Sequence, residues 1–435
     1  MSGVFDGLLA EIATVRVTMP VGRVAELAQG TVQVTGLQGS ACLGDRVLIG
    51  GILGGEVLRI GLNAVQILPD GPADGLALGA EVALIGAGGI APDDAWIGRI
   101  VDPYGRPMDD RPLFRGPVLR PLMADAPHAA NRRRLGGRMP TGIAVFDTLL
   151  PLVQGQRLGL FAGSGVGKSS LLAKFARGVQ ADVVVIALIG ERGRELREFV
   201  ERVLGPDGMR RSVIVAATSD QSALSRRRCA MAAMAVAEHF RDQGLHVLYL
   251  ADSITRFAEA HREVALAAGE AASLRGFPPS VSQAIMSLAE RAGPGPEGMG
   301  DITAVFTVLV AGSDMDEPIA DILRGVLDGH VVLDRKIAER GRYPAIDLLR
   351  SVSRSLPHAA TPDENILIAQ ARQLLGAYDR AEMMIQAGLY AKGSDPVVDA
   401  AIRVWPALDA FLAEDAPADG VQGSFRRLAA ALAIN

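Results

Sequence analysis

Within eight residues, the stretch AGSGVGKS (162–169) brings together three glycines, a lysine and two hydroxyls. A loop of the form G-x-x-x-x-G-K-[ST] cradles phosphate groups. Gly167, Lys168 and Ser169 fill its last three positions, while Ala162 stands where the pattern has glycine. The backbone N–H groups of Gly163, Ser164, Gly165, Val166 and Gly167 would turn inward. The helix opened by Lys168, Ser169 and Ser170 would add the partial positive charge of its N-terminus. Gly163, Gly165 and Gly167 let the chain curl without Cβ clashes. Lys168 would reach the β- and γ-phosphates of ATP, and the Ser169 hydroxyl would ligate Mg²⁺. Ala162 is predicted at the exit of a strand with negative φ, where alanine carries no left-handed strain.

Two acidic residues follow buried apolar runs. VVVIALIG ends in Glu191 and HVLYLA ends in Asp252. A strand-end carboxylate at the edge where ligands bind could orient a water against the γ-phosphate, which is what separates hydrolysis from mere holding. Arg192 and the charged stretch beyond it also read as a solvated face. Asp252 could hold Mg²⁺ through water or simply cap the next helix. Arg256 lies one helical turn beyond Asp252, so both could face one phosphate.

These residues need a scaffold, and the texture of the chain supplies one in sections. The chain has 435 residues, is about half apolar and carries a net charge of −5. That length predicts two or three domains, and the charge gives no reason to expect nucleic acid as a partner. In residues 1–20, Phe5, Leu8, Leu9 and Ile12 form the stripe of a short amphipathic helix. That segment is either a frayed terminus or a docking helix. Residues 21–90 are short β-branched runs between glycines, predicting a small all-β barrel. Residues 91–360 alternate apolar runs with helical stretches, predicting an α/β core with a mostly parallel sheet. Asp220 is the expected cap of the Ala-rich helix that stops at Gly244. Residues 361–435 predict a helical domain. Cys42 and Cys229 are expected to be buried, reduced thiols in a cytosolic setting, where a disulfide joining them is the alternative. No run reaches membrane-spanning length and no signal peptide is evident, which predicts a cytoplasmic protein.

The segments AGSGVGKSSLL, GERGRELREF, ADSITRFAEAHRE, RGFPPSV, DMDEPIADILRGVLDGHVVLDRKIAERGRYPAIDLLRSVSR and GSDPVVDAAI together resemble the ATPases of type III protein export, most closely the flagellum-specific ones. This family is related to the catalytic subunits of rotary ATP synthases, and the resemblance runs from about Val21 to Leu412. It implies an N-terminal β-barrel, a RecA-like P-loop ATPase core and a C-terminal helical domain, assembled as a homohexamer with active sites between subunits. It implies that Glu191 is the catalytic carboxylate and that Arg256 contacts the γ-phosphate. Tyr343 would lie against the adenine, where core packing is the alternative. Arg354 would be an arginine finger reaching the neighbouring subunit's site, where a surface arginine is the alternative. The implied partners are an export regulator or stator protein on the N-terminal segment, a coiled-coil central stalk, the membrane export gate, and export substrates with their chaperones. The implied location is the cytoplasm, at the inner membrane's export apparatus.

Other readings share some of these features. An injectisome ATPase and a rotary synthase subunit have the same chemistry. A hexameric RNA-translocating motor would need an aromatic or basic platform in its first domain, yet residues 21–90 contain no Phe, Trp or Tyr. A purely structural ring subunit is opposed by Glu191.

Overall fold

The computed structural model describes residues 9, 12, 18–28, 30–310, 315 and 317–433. Apart from Leu9 and Ile12, the amphipathic segment expected around Phe5 lies outside the described residues.

Six strands close into an antiparallel barrel: β1 (Val21–Ala28), β2 (Thr31–Thr35), β3 (Asp45–Ile49), β4 (Leu53–Ile60), β5 (Val65–Pro69) and β6 (Glu81–Ala87), ordered β1-β2-β5-β4-β3-β6. Their inward positions are aliphatic. Val32, Val34, Val47, Ile49, Val65, Ile67 and Val82 are fully buried, and in β3 buried residues alternate with partly exposed ones. Valine and isoleucine suit this pleated surface, which explains a stable barrel without aromatic residues. A two-stranded ribbon, β7 (Gly89–Ile90) with β9 (Arg120–Pro121), follows it.

The core sheet uses β8 (Arg99–Val101), β10 (Arg157–Ala162), β11 (Val183–Glu191), β12 (Ser212–Thr218), β13 (Val247–Asp252), β15 (Asp301–Leu309), β16 (Gly329–Leu333) and β17 (Ile346–Ser353). Their order is β17-β16-β10-β15-β13-β11-β12-β8, and the short β14 (Gly293–Pro294) pairs with β15. From β16 through β8 every pairing is parallel, while β17 adds antiparallel to β16. Along β11, Val184, Ile186 and Leu188 enter one apolar cluster, and Val183, Val185, Ala187 and Ile189 enter another. Burial on both faces is why this strand reads as a continuous apolar run rather than an alternating one.

The longer helices are α1 (Lys168–Gly178), α2 (Ala223–Asp242), α3 (Ile254–Ala267), α4 (Ser280–Arg291), α5 (Pro318–Val326), α6 (Pro362–Gln386), α7 (Pro396–Phe411) and α8 (Gly420–Leu432). The cap of α2 is Ser222, whose hydroxyl accepts from Ser225 N, and not the expected Asp220. Asp220 lies two positions too early to reach the first free N–H groups. Gly244 does follow the helix end, at φ 88°. Helix α6 opens with a reciprocal capping box between Thr361 and Glu364, with Pro362 in its first turn. The expected helical periodicity covered α6 and α7, and α8 completes the C-terminal unit. Cys229 is buried as expected, but Cys42 is exposed. It sits in the turn leading into β3, on the rim of a cavity that it shares with Leu122, Met123 and Arg227.

Candidate nucleotide site

Strand β10 delivers the loop. Ala162, its last residue, is fully buried and pairs in parallel with Leu309 of β15 and Leu333 of β16. It is therefore extended, as expected, and glycine is not needed there. The left-handed turns are at Gly165 (φ 78°) and Gly167 (φ 88°). Gly163 needs no such freedom, because a Cβ there would only make ordinary contact with Val310 O at 3.8 Å. The Val166 side chain is buried in the core, so it offers the site its backbone alone. Ser164, Ser169 and Ser170 are exposed.

The loop borders a cavity of about 990 Å³, whose opposite walls carry Glu191, Arg192, Arg226 and Arg256. Residues from separate strands and helices meet here because parallel strands end at the same sheet edge. Asp252 lies just behind the cavity wall, almost wholly buried. The Lys168 ammonium pairs with Asp252 Oδ1, which also accepts a hydrogen bond from Thr307 Oγ1 at 2.8 Å. Ser253, not Asp252, caps α3.

Glu191 is aimed by a bulge. The β11–β12 register shifts between Ile189 and Glu191, with Gly190 at φ 69°. A residue in that conformation favours glycine and re-directs its neighbour. Burial chiefly, and then the charge of Asp252, push the Glu191 carboxyl up to about 7, against the opposing pull of Lys168. A carboxyl poised there exchanges protons readily at neutral pH.

Two arginines in the cavity are held by carboxylates. Arg256 donates to Glu259 at 2.8 Å, and Arg226 donates to both oxygens of Glu263 at 3.0 Å. Arg226 and Thr307 were not anticipated. Arg226 hides in the run SRRRC, and only the placement of α2's first turn separates it from Arg227 and Arg228. Those two turn instead to the barrel side, toward Glu56 and toward the carbonyls of Gly89 and Pro103. Thr307 sits in mid-strand and carries no sequence signal.

Tyr343 is half exposed rather than packed in the core. Its ring covers Gly167, so that a Cβ added at Gly167 would stand 3.0 Å from it. With Ser170, Leu171, Lys174 and Pro344 it lines a second cavity of about 280 Å³ beside the loop. Arg354 is the residue the fold does not bring in. It is exposed just beyond β17, borders neither cavity, and donates to Arg324 O at 3.1 Å.

Residues 142–353 match the ATP synthase alpha/beta family, nucleotide-binding domain, and residues 360–419 match the T3SS EscN ATPase C-terminal domain. A flagellum-specific ATP synthase of Caulobacter vibrioides is 46% identical over 419 residues, covering 94% of each chain. A type 3 secretion system ATPase of Xanthomonas euvesicatoria is 43% identical, covering 93% of this chain and 92% of that protein. The chain belongs to this family of ATPases. Its fold is that of the assembled ATPase EscN of enteropathogenic E. coli, with a TM-score of 0.88 at 36% identity, covering 95% of this chain and all of that one. As a member, the chain is an ATP-hydrolysing enzyme, and the expected barrel, RecA-like core and C-terminal helices are its architecture.

Proposed function

We propose that this chain is the Mg²⁺-dependent ATPase of a flagellar type III export apparatus, working as a homohexamer in the cytoplasm against the inner membrane. The observation that carries the hydrolytic part is Glu191. It stands across one cavity from the phosphate loop, with its carboxyl at about 7. The phosphates of ATP lie on the 163–168 backbone, and Lys168 exchanges Asp252 for phosphate oxygens. Glu191 takes the proton of the water that attacks the γ-phosphorus while the bond to the β–γ bridging oxygen breaks and ADP leaves, and Arg256 faces the negative charge on the γ-phosphoryl group. Tyr343 lies against the adenine. The Ser169 hydroxyl and, through water, Asp252 are hard oxygen donors that fit Mg²⁺, which would neutralise charge on the β- and γ-phosphates. Arg354 serves the site of a neighbouring subunit.

The ring and a coiled-coil stalk partner are supported by the fold's likeness to EscN, which is described both as an assembled ATPase and in complex with its central stalk EscO. The export regulator, the membrane gate, and substrates with their chaperones follow from the flagellar reading. That reading is supported by the names of the relatives from Caulobacter, Agrobacterium and Salmonella, at 46%, 43% and 41% identity. An injectisome role is the second reading, favoured by the Xanthomonas relative at 43%. Complementation separates them. Expression in a strain lacking its flagellum-specific ATPase is expected to restore swimming and secretion of flagellar proteins. Restoration only of effector secretion, in a strain lacking its injectisome ATPase, would overturn the flagellar reading.

A further inference from the structure

The second cavity is tied to the C-terminal helices on two sides. Arg342, the residue before Tyr343, is nine-tenths buried and meets Asp409 of α7 at 3.1 Å. Its Nη2 donates to Ile346 O at 2.8 Å, and the 3.1 Å contact with Asp409 Oδ1 is made by Nε, outside the geometry of a hydrogen bond. The guanidinium is thus held between the Ile346 carbonyl and the charge of Asp409 on α7. Lys174, which lines the same cavity as Tyr343, pairs with Asp415 just beyond α7. Asp415 is in turn bridged to Ile143 of the core. The stretch from Asp409 to Asp415 therefore pairs with Lys174, on the wall of the slot, and with Arg342, the residue before Tyr343.

We propose that Arg342 and Asp409 are a positioning pair through which the C-terminal helices set Tyr343 against the base of the nucleotide. This rests on the reading that Tyr343 faces adenine. Displacement of α7 then changes nucleotide affinity while leaving the phosphate chemistry at Glu191 and Lys168 in place. The physical basis is that the buried ion pair ties Arg342 to α7, so that a displacement of α7 pulls on the segment that carries the next residue, Tyr343.

The test compares ATP with tripolyphosphate, which has the phosphates but no base, on the full-length protein. Asp409→Asn keeps the shape and removes the charge. It is expected to raise KM for ATP about five- to tenfold, hold kcat within about twofold, and leave inhibition by tripolyphosphate unchanged. Asp415→Asn, at an exposed position, is expected to raise KM about twofold without affecting folding. In a Tyr343→Ala background, Asp409→Asn is expected to add nothing, because the ring it positions is gone. A KM unchanged in both single Asp variants, an equal loss of tripolyphosphate binding, or a full Asp409→Asn effect in the Tyr343→Ala background overturns the coupling. If Asp409→Asn melts at assay temperature, its binding of ATP and of tripolyphosphate is compared with the parent's below its melting temperature. Tyr343→Ala reports separately on the base: an unchanged KM in that variant overturns the adenine reading, whereas a raised KM there with unchanged Asp variants overturns the coupling only.

Discussion

The phosphate loop and Arg354 are both sites of positive charge, but their surroundings differ. Lys168 stands inside a wall of strand ends, paired with Asp252, with Glu191 across the cavity. Arg354 stands exposed beyond an antiparallel edge strand, its side chain donating to the Arg324 carbonyl. The chain gathers Lys168, Asp252 and Glu191 at one cavity wall and leaves Arg354 outward. Because Arg354 borders neither cavity of its own chain, its proposed role is to complete the site of a neighbouring subunit.

Mixing two inactive variants breaks or confirms that comparison most sharply. Arg354→Ala is expected to bind ATP and lose about 10³-fold or more in kcat. Lys168→Ala is expected to abolish turnover. Mixed, they form interfaces carrying an intact loop and an intact finger, so activity should return in a ratio-dependent way. Absence of rescue at every ratio, or specific activity independent of concentration down to the monomer, rules out the shared site.

A smaller loss is expected on the phosphate side itself. Glu191→Gln keeps the shape and the nucleotide affinity but removes the proton acceptor, costing about 10²–10⁴-fold in kcat. Parent-rate turnover by this variant sinks the assignment. In the parent, kcat/KM should fall as pH drops through about 7, because Glu191 acts only when ionised and its carboxyl lies there.

The same group makes a prediction about stability. Its folded value is raised from 4.5 to about 7, so across that window the folded chain holds a proton that the unfolded chain has released. Native stability from this group is therefore lost as pH rises through the window. Glu191→Gln should melt above the parent at pH 8 and at the same temperature at about pH 4. Coincident melting curves at pH 8 would show that the carboxyl is not strained in the fold.

The smallest effect is expected at Ala162. Glycine there should leave kcat intact and lower stability by about 1 kcal/mol, through added backbone freedom and a lost methyl in a packed strand. A loss of activity would show that the strand exit does shape the phosphate cradle.

The sequence by itself determined the strand–loop–helix at 157–178, the apolar runs of the sheet, the aliphatic barrel and the first two C-terminal helices. Each is governed by local periodicity and by residue types that only a few backbone conformations accept. Glu191 and Asp252 were legible for the same reason, since each ends an apolar run and strand ends are where a parallel sheet presents its ligands. Even within the loop, however, only the folded backbone distinguished Gly165 and Gly167, which need left-handed φ, from Gly163, which does not. Tertiary structure alone selected Arg226 from three consecutive arginines, placed Thr307 against Asp252, and turned Ser222 rather than Asp220 into a cap. It also closed Tyr343 over Gly167 and linked Arg342 to Asp409, pairs separated by 176 and 67 positions. Such pairings follow from which elements the sheet brings together, and no local pattern encodes a contact whose two halves meet only after the chain has folded.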